Sequence, residues 1–261
     1  MSSLLLTGAA GRMAQALRPA LADDFDTIRL YSRSELSAVK PGEAVILGNL
    51  EDLDTLERAS RGVDVIVHLG GKADEAPFAE ILSSNILGTH NVFEAARRSG
   101  VRRVVYASSH HVTGFHPVTE RVSERSDVRP DTYYGVSKVF GEAIGRLYHD
   151  KWGLEVVCLR IGVCREEPEN SDQLRTWLSI PDSVRLVRAA ATSRIKDGFA
   201  VMYGVSNNSL SFWNADSARD IGYVPEDSAD TFQAKFGSVP EFSTSRQGGA
   251  FTGVDYRGGT W

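Results

Sequence analysis

The chain has 261 residues, 29 Lys plus Arg against 34 Asp plus Glu for a formal net charge of −5, and a hydrophobic fraction of 42%. That is a globular composition with enough chain for a large core, and the acidic balance speaks against nucleic acid as the main partner. Cys158 and Cys164 are too few to staple the fold and lack metal-ligand spacing, no run reaches the roughly 18 apolar residues of a membrane span, and no basic region precedes the short N-terminal apolar run, so a cytoplasmic protein with no metal, nucleic-acid or membrane partner is expected.

Apolar runs of strand length alternate with helix-period segments. Strands are expected at Leu4–Leu6, Thr27–Tyr31, Ala44–Leu47, Val63–Leu69, Val104–Ser108 and Glu155–Ile161. Several are apolar almost throughout, as strands buried on both faces of a parallel sheet must be. Phe78, Ile81, Leu82, Ile86, Val92, Phe93 and Ala96 recur mostly at three- and four-residue steps and predict a helix stopped by Gly100. A second helix is expected from about Tyr133 to Trp152, with Phe140, Ile144, Leu147 and Tyr148 on one side. After Gly162 the texture changes. Cys164–Ser193 is charged and only partly periodic, with Trp177, Leu178, Val184 and Val187 suggesting helix. A strand at Phe199–Tyr203, a helix around Ala215–Ile221 and a Gly- and aromatic-rich tail, Gln247–Trp261, without regular structure complete the chain. The alternation requires right-handed crossovers and gives an α/β fold, a doubly wound parallel sheet in one domain over residues 1–261. Segments at about 164–195 and 204–261 are expected to cap the substrate side.

Thr7-Gly8-Ala9-Ala10-Gly11-Arg12-Met13-Ala14 follows the first strand and opens a helix. The glycines permit a tight turn and let backbone N–H groups approach a pyrophosphate at the helix N-terminus, the Rossmann-type arrangement. Ala14 is small enough for close helix–strand packing. After the second strand no carboxylate waits for the adenosine ribose 2′-hydroxyl; Ser32 and Arg33 either hold a 2′-phosphate, favouring NADP, or lie in a solvated loop beside NAD. Asn49, before Leu50, binds the adenine edge or is a turn residue.

Tyr134 and Lys138 stand four residues apart on one helix face, and Ser108-Ser109 ends the strand upstream. A tyrosine beside an ammonium is expected to have a depressed pKa and to serve as a general base, while the lysine hydrogen-bonds the nicotinamide ribose and the serine holds the reacting hydroxyl. With Val67-His68-Leu69-Gly70-Gly71, Asn85-Ile86-Leu87-Gly88-Thr89, Ser108-Ser109-His110-His111, Tyr134-Gly135-Val136-Ser137-Lys138, Leu159-Arg160-Ile161-Gly162 and Gln247-Gly248-Gly249, the chain resembles over nearly its whole length the uronate dehydrogenase family of extended short-chain dehydrogenases/reductases.

The resemblance implies oxidation of the anomeric hydroxyl of a cyclic hexuronate to an aldarolactone, with hydride passed to NAD. It makes Tyr134 the base, Lys138 its electrostatic partner and Ser109 the residue that orients the C1 hydroxyl. The implied cofactor contacts are Gly8, Ala10, Gly11, Arg12, Met13, Ser32, Arg33, Asn49, Leu50, Leu69, Gly70, Gly71, Asn85, Tyr134, Lys138 and Ile161, with Gly162 also bordering the nicotinamide. The substrate shell departs from the family: Asp172 stands at the position of its carboxylate-binding arginine, with Arg175 one helical step away. Val163 stands at a polar position, His110 at an asparagine, Arg12 at a glutamine, and Ala73 at a serine with Lys72 just before it. Arg12, Lys72, His110 and Arg175 then either form a new anion pocket for carboxylate, sulfonate or phosphate or are structural and surface groups; His111 completes the expected substrate contacts. The expected protein is an NAD- or NADP-dependent dehydrogenase of a small acidic sugar. The alternatives are the same reaction on a hexose 6-phosphate or 6-sulfo sugar, a nucleotide-sugar epimerase or dehydratase, and a dinucleotide sensor without catalysis. A homo-oligomer formed through the helices near Phe78–Ser99 and Tyr133–Trp152 is also implied.

Overall fold

A computed structural model of the chain describes residues 2–36, 39–237 and 242–259. Strands β1 (Ser3–Thr7), β2 (Thr27–Ser32), β3 (Glu43–Leu47), β4 (Val65–His68), β5 (Arg103–Ser109) and β6 (Glu155–Ile161) form in the order expected. A two-residue pair, β7 (Val163–Cys164) and β8 (Trp177–Leu178), precedes the last long strand, β9 (Phe199–Gly204). Seven of them make one parallel sheet in the order β3-β2-β1-β4-β5-β6-β9. The order reverses between β1 and β4, which opens a crevice beyond the carboxyl ends of those strands.

The helices are α1 (Arg12–Leu21), α2 (Leu53–Ser60), α3 (Phe78–Ile81), α4 (Gly88–Arg98), α5 (Tyr133–Trp152), α6 (Gln173–Thr176), α7 (Ile180–Thr192) and α8 (Asp216–Arg219). The period-two alternation of a strand decides which side each residue serves. Leu4 and Leu6 join Leu17, Leu21, Leu186 and Val187 in the core under α1 and α7. Leu5 points the other way, into a core with Leu56, Val92, Phe93, Ile144 and Tyr148 under α2, α4 and α5.

Four differences from the sequence expectations have physical causes. The helix expected from Phe78 is interrupted by a π turn, Leu82–Leu87, before α4 resumes; Asn85 in that turn bonds the Lys72 main chain and the Ser137 hydroxyl. Helix α2 was not expected; its cap, Asp52, accepts the Thr55 N–H at 3.0 Å. The second half of the stretch at 164–195 forms α7, capped by the Ser179 hydroxyl on the Asp182 N–H at 2.9 Å; it is the crossover from β6 to β9 and packs on the sheet. The tail contains a 3₁₀ turn at Gly249–Thr252. Residues 238–241 and 260–261 of the expected cap lie outside the described residues.

Candidate active site

The chain leaves β1 at Thr7 and turns through Gly8 at φ +69 before α1 begins. A Cβ on Gly8 would meet the Gly70 nitrogen at 2.8 Å, so a glycine lets the loops after β1 and β4 lie main chain against main chain. Gly11 caps α1 without a side-chain hydrogen bond and the first turn has no acid, which leaves its N–H groups for an anion such as pyrophosphate. Ala14 is fully buried at the helix–sheet contact. Below the turn the Thr7 hydroxyl and His68 Nδ1 lie 2.7 Å apart, and His68 Nε2 is 3.3 Å from the Thr89 hydroxyl. Burial pushes the His68 pKa down to about 3 and keeps it a neutral link between β1, β4 and α4.

At the far end of the crevice Ser32, Arg33, Ser34, Asn49 and Leu50 line the wall. The Ser32 hydroxyl accepts the Ser34 N–H at 3.3 Å, and among the described residues no carboxylate pairs with Arg33. Glu51, unremarked in the sequence, shares this wall and takes a hydrogen bond from the Ser83 hydroxyl.

Strand β5 delivers Ser109 and the turn His110–Thr113, while α5 delivers Tyr134 and Lys138 one helical turn apart. Helix α5 starts where it does because the Thr132 hydroxyl accepts the Gly135 N–H at 3.0 Å. Ser109, Tyr134 and Lys138 line the same cavity as the α1 N-terminus, a cleft of about 550 Å³. The Ser109 hydroxyl is near enough to the Tyr134 phenol to draw its pKa down. Lys138 Nζ donates to the Ala107 carbonyl at 2.7 Å and stands 5.4 Å from the centre of the Tyr134 ring. The titration differs from expectation. Burial lifts the Tyr134 pKa to about 12 against the lowering effect of Ser109, and burial brings Lys138 down to about 8. Desolvation dominates the phenol, and the acids Asp131 and Asp74 push it the same way.

The strand end is braced from behind by residues the sequence did not single out. The Ser108 hydroxyl donates to Glu142 Oε1 at 2.6 Å, and Arg160 donates to the same carboxylate from Nε at 2.9 Å and Nη2 at 2.8 Å. The available signal was an acid within the buried stretch of α5, four residues after Lys138.

Every expected cofactor contact lines the cleft except Asn85. Its amide holds the Lys72 main chain instead, accepting the N–H at 2.7 Å and donating to the carbonyl at 3.1 Å. Among the expected substrate contacts Lys72, Ala73, Ser109, His110 and His111 line the cleft, and Val163, Asp172 and Arg175 do not. Val163 is occupied in the β7–β8 pair. The Asp172 carboxylate accepts the N–H of Ser243 at 2.9 Å and its hydroxyl, and Arg175 lies over the Phe242 ring at 5.5 Å. The anion pocket is further reduced because Lys72 pairs with Glu80. Burial, together with His111, holds His110 well below the usual histidine range, so it is neutral. Cys164 and Ile180 line the cleft unexpectedly.

A dinucleotide-sized cleft at the switch point of a parallel sheet, with a serine, a tyrosine and a lysine inside it, is the arrangement of the NAD dependent epimerase/dehydratase family, and the chain belongs to that family, whose model matches residues 4–164. A uronate dehydrogenase from Pseudomonas syringae pv. tomato is 43% identical over 255 residues, covering 95% of this chain and 92% of the relative. A mutant uronate dehydrogenase from Agrobacterium tumefaciens, solved in complex with NAD, superposes with a TM-score of 0.90 at 38% identity and 97% coverage of both chains. An NAD-dependent glucose-6-phosphate dehydrogenase from Haloferax volcanii is 34% identical over 251 residues, covering 88% of this chain and 95% of the relative. Within the larger family this chain is one of the uronate dehydrogenase group, an NAD-dependent oxidoreductase acting on a CH–OH group.

Proposed function

We propose that the protein oxidises the anomeric C1 hydroxyl of a cyclic acidic aldose, hexuronate-like, to the lactone, with NAD or NADP as acceptor. The observation that carries the reading is that Ser109, Tyr134 and Lys138 meet in the cleft that also receives the α1 N-terminus. The N–H groups of α1 with Gly11, Arg12 and Met13 would hold the pyrophosphate, Ser32 and Arg33 the adenosine ribose, and Lys138 the nicotinamide ribose beside Ile161. A nicotinamide held there would supply the hydride acceptor for C1. The Ser109 oxygen accepts the His111 N–H at 3.3 Å, which leaves its proton to donate to the sugar O1. The Tyr134 oxygen takes the proton from O1 in its phenolate form, and because burial makes that form the minor one the rate should rise with pH. C1 thus loses a hydride and O1 a proton, and the resulting carbonyl beside the ring oxygen is a lactone.

Cofactor reduction followed by absorbance, with NAD and NADP and with glucuronate, galacturonate, glucose 6-phosphate, a 6-sulfo sugar and glucose, tests this. Net reduction with acidic aldoses is expected; an absence of reduction with every aldose overturns it. A second reading keeps the reaction but replaces the hexuronate with a hexose 6-phosphate or 6-sulfo sugar. It is favoured by Asp172 and Arg175 standing off the cleft, and by the glucose 6-phosphate named for the Haloferax relative. We also propose a cytoplasmic homo-oligomer that covers the exposed Phe78, Leu82, Tyr133 and Val136 of α3, the π turn and α5 with a second copy of the chain. A monomeric mass by light scattering would refute that arrangement.

A further inference from the structure

The Gln247-Gly248-Gly249 motif has no part in the mechanism above, and its position explains it. Gly248 packs against the carboxylate of Asp131, as do Gly114 and Gly135 from two other segments; a Cβ at Gly114 or Gly248 would collide with that carboxylate. The Gly248 N–H also donates to the Gly114 carbonyl at 2.8 Å and ties the two walls together. The tail is anchored upstream by Gln247, whose Oε1 accepts Trp213 Nε1 at 2.9 Å and whose Nε2 donates to the Pro117 and Glu120 carbonyls at 2.9 and 2.7 Å. Three glycines, two of them from segments outside the Asp131 turn, therefore form a socket for one fully buried carboxylate.

That carboxylate faces the cleft through one side chain. Asp131 Oδ2 is 2.7 Å from His111 Nδ1, and Oδ1 accepts the Thr132 hydroxyl at 3.0 Å. His111 lines the cleft, and its ring is clamped in place by Phe251, stacked at 3.7 Å between centroids. A carboxylate only accepts hydrogen bonds, so Nδ1 carries the proton, and in the uncharged form of the ring Nε2 is the nitrogen that keeps a lone pair. We infer that Asp131 is a positioning residue that fixes the His111 tautomer, so that the sugar end of the cleft presents Nε2 as an acceptor for a substrate hydroxyl and not as a donor for an anion. This rests on the sugar reading above and names which part of the sugar this wall receives.

Asp131→Asn changes this without changing volume. The Thr132 hydroxyl proton holds the amide oxygen at the Oδ1 position, which turns the amide NH₂ toward Nδ1. Nδ1 must then accept, and the proton moves to Nε2, where it opposes the sugar hydroxyl. Two measurements test the inference. Long-range ¹⁵N–¹H NMR of histidine-labelled protein, with His111 assigned by its absence in His111→Gln, should show the Nδ1–H form in the wild type and the Nε2–H form in Asp131→Asn. This arm needs no substrate and no variant beyond the assignment, so it decides the tautomer even if Asp131→Asn does not fold; an Nε2–H wild type overturns the inference. In steady state, Asp131→Asn should lower kcat/KM for the aldose that turns over fastest by roughly tenfold or more, with the NAD dissociation constant unchanged. In the His111→Gln background the same substitution should add less than about a twofold loss, because it acts only through His111. Losses that multiply, or a parallel rise in the NAD dissociation constant, would show a merely structural carboxylate. If the wild type turns over no aldose, the proposed reaction fails while the NMR result still stands on its own.

Discussion

Glu142→Gln should destabilise the fold far more than a typical surface change, and the size of the loss follows from the contacts. Glu142 and Arg160 are both nearly buried, and the carboxylate takes three hydrogen bonds, two from the guanidinium and one from Ser108. Neutralising it leaves the Arg160 cation without its counter-charge and turns an amide NH₂ toward guanidinium donors. Breaking one side of such a pair costs about 3–5 kcal/mol. At roughly 2–4 °C per kcal/mol for a chain of this size, the melting temperature should fall by about 6–20 °C. Urea and thermal unfolding measure it. The double variant Glu142→Leu with Arg160→Met removes both charges and should lose less than the single one. A single-variant loss below about 1 kcal/mol, or a double variant worse than the single, would refute the reasoning.

Tyr134→Phe should cut kcat by ~10²–10⁴-fold while the NAD dissociation constant stays nearly constant; retention of more than a tenth of the activity would show that the phenol is not the base. Lys138→Met should lose activity yet gain stability at neutral pH. The folded pKa of about 8 lies below the ordinary lysine value of 10.5, so the unfolded chain binds the proton more tightly and wild-type stability rises with pH between those values. The gain is at most about 3 kcal/mol at pH 7, less the cost of leaving the Ala107 carbonyl without its donor, and melting curves at pH 7 and 10 should show the gap closing. Arg33→Ala should weaken NADP by the ~1.5–3 kcal/mol typical of a hydrogen bond to a charged group and leave NAD nearly unchanged; equal losses in titrations would exclude a 2′-phosphate contact. Asp172→Arg should leave the KM for glucuronate within about twofold, because the side chain bonds Ser243 outside the cleft; a KM lowered roughly tenfold, a gain of ~1.4 kcal/mol, would show that the position reaches the substrate.

Some of this was legible in the chain because it is local. Leu4, Leu5 and Leu6 are all fully buried, and an unbroken apolar triplet says as much before any fold is known. The Gly8–Gly11 turn and the four-residue step from Tyr134 to Lys138 are likewise fixed by neighbouring residues. The helix suggested by Trp177, Leu178, Val184 and Val187 forms only from Ile180, as α7, while Trp177 and Leu178 pair in β8; Arg185 and Arg188 blur the boundary by punctuating its buried Leu186, Val187, Ala190 and Ala191. The expected fate of Asp172 was out of reach, since its partner Ser243 lies 71 residues away and meets it only in the folded chain. The Tyr134 pKa differs from the expected one for a related reason: sequence spacing reports the step to Lys138 but not the burial that raises the phenol.

The contact between the Gly8 turn and the Leu69–Gly70 main chain bears on how such a protein diverges. That end of the cleft is made of backbone, and backbone cannot be altered by substitution except by disrupting it. The opposite wall is made of side chains, and of these His110, Lys72 and Ala73 stand outside the Asp131–His111 pair and can change one residue at a time. Under the proposed function, drift at the sugar end should therefore be tolerated long after the dinucleotide end has become fixed. A randomised library confined to those side chains should yield folded, cofactor-binding proteins at a much higher rate than one that includes Gly8 or Gly70, and altered sugar preference is best sought there.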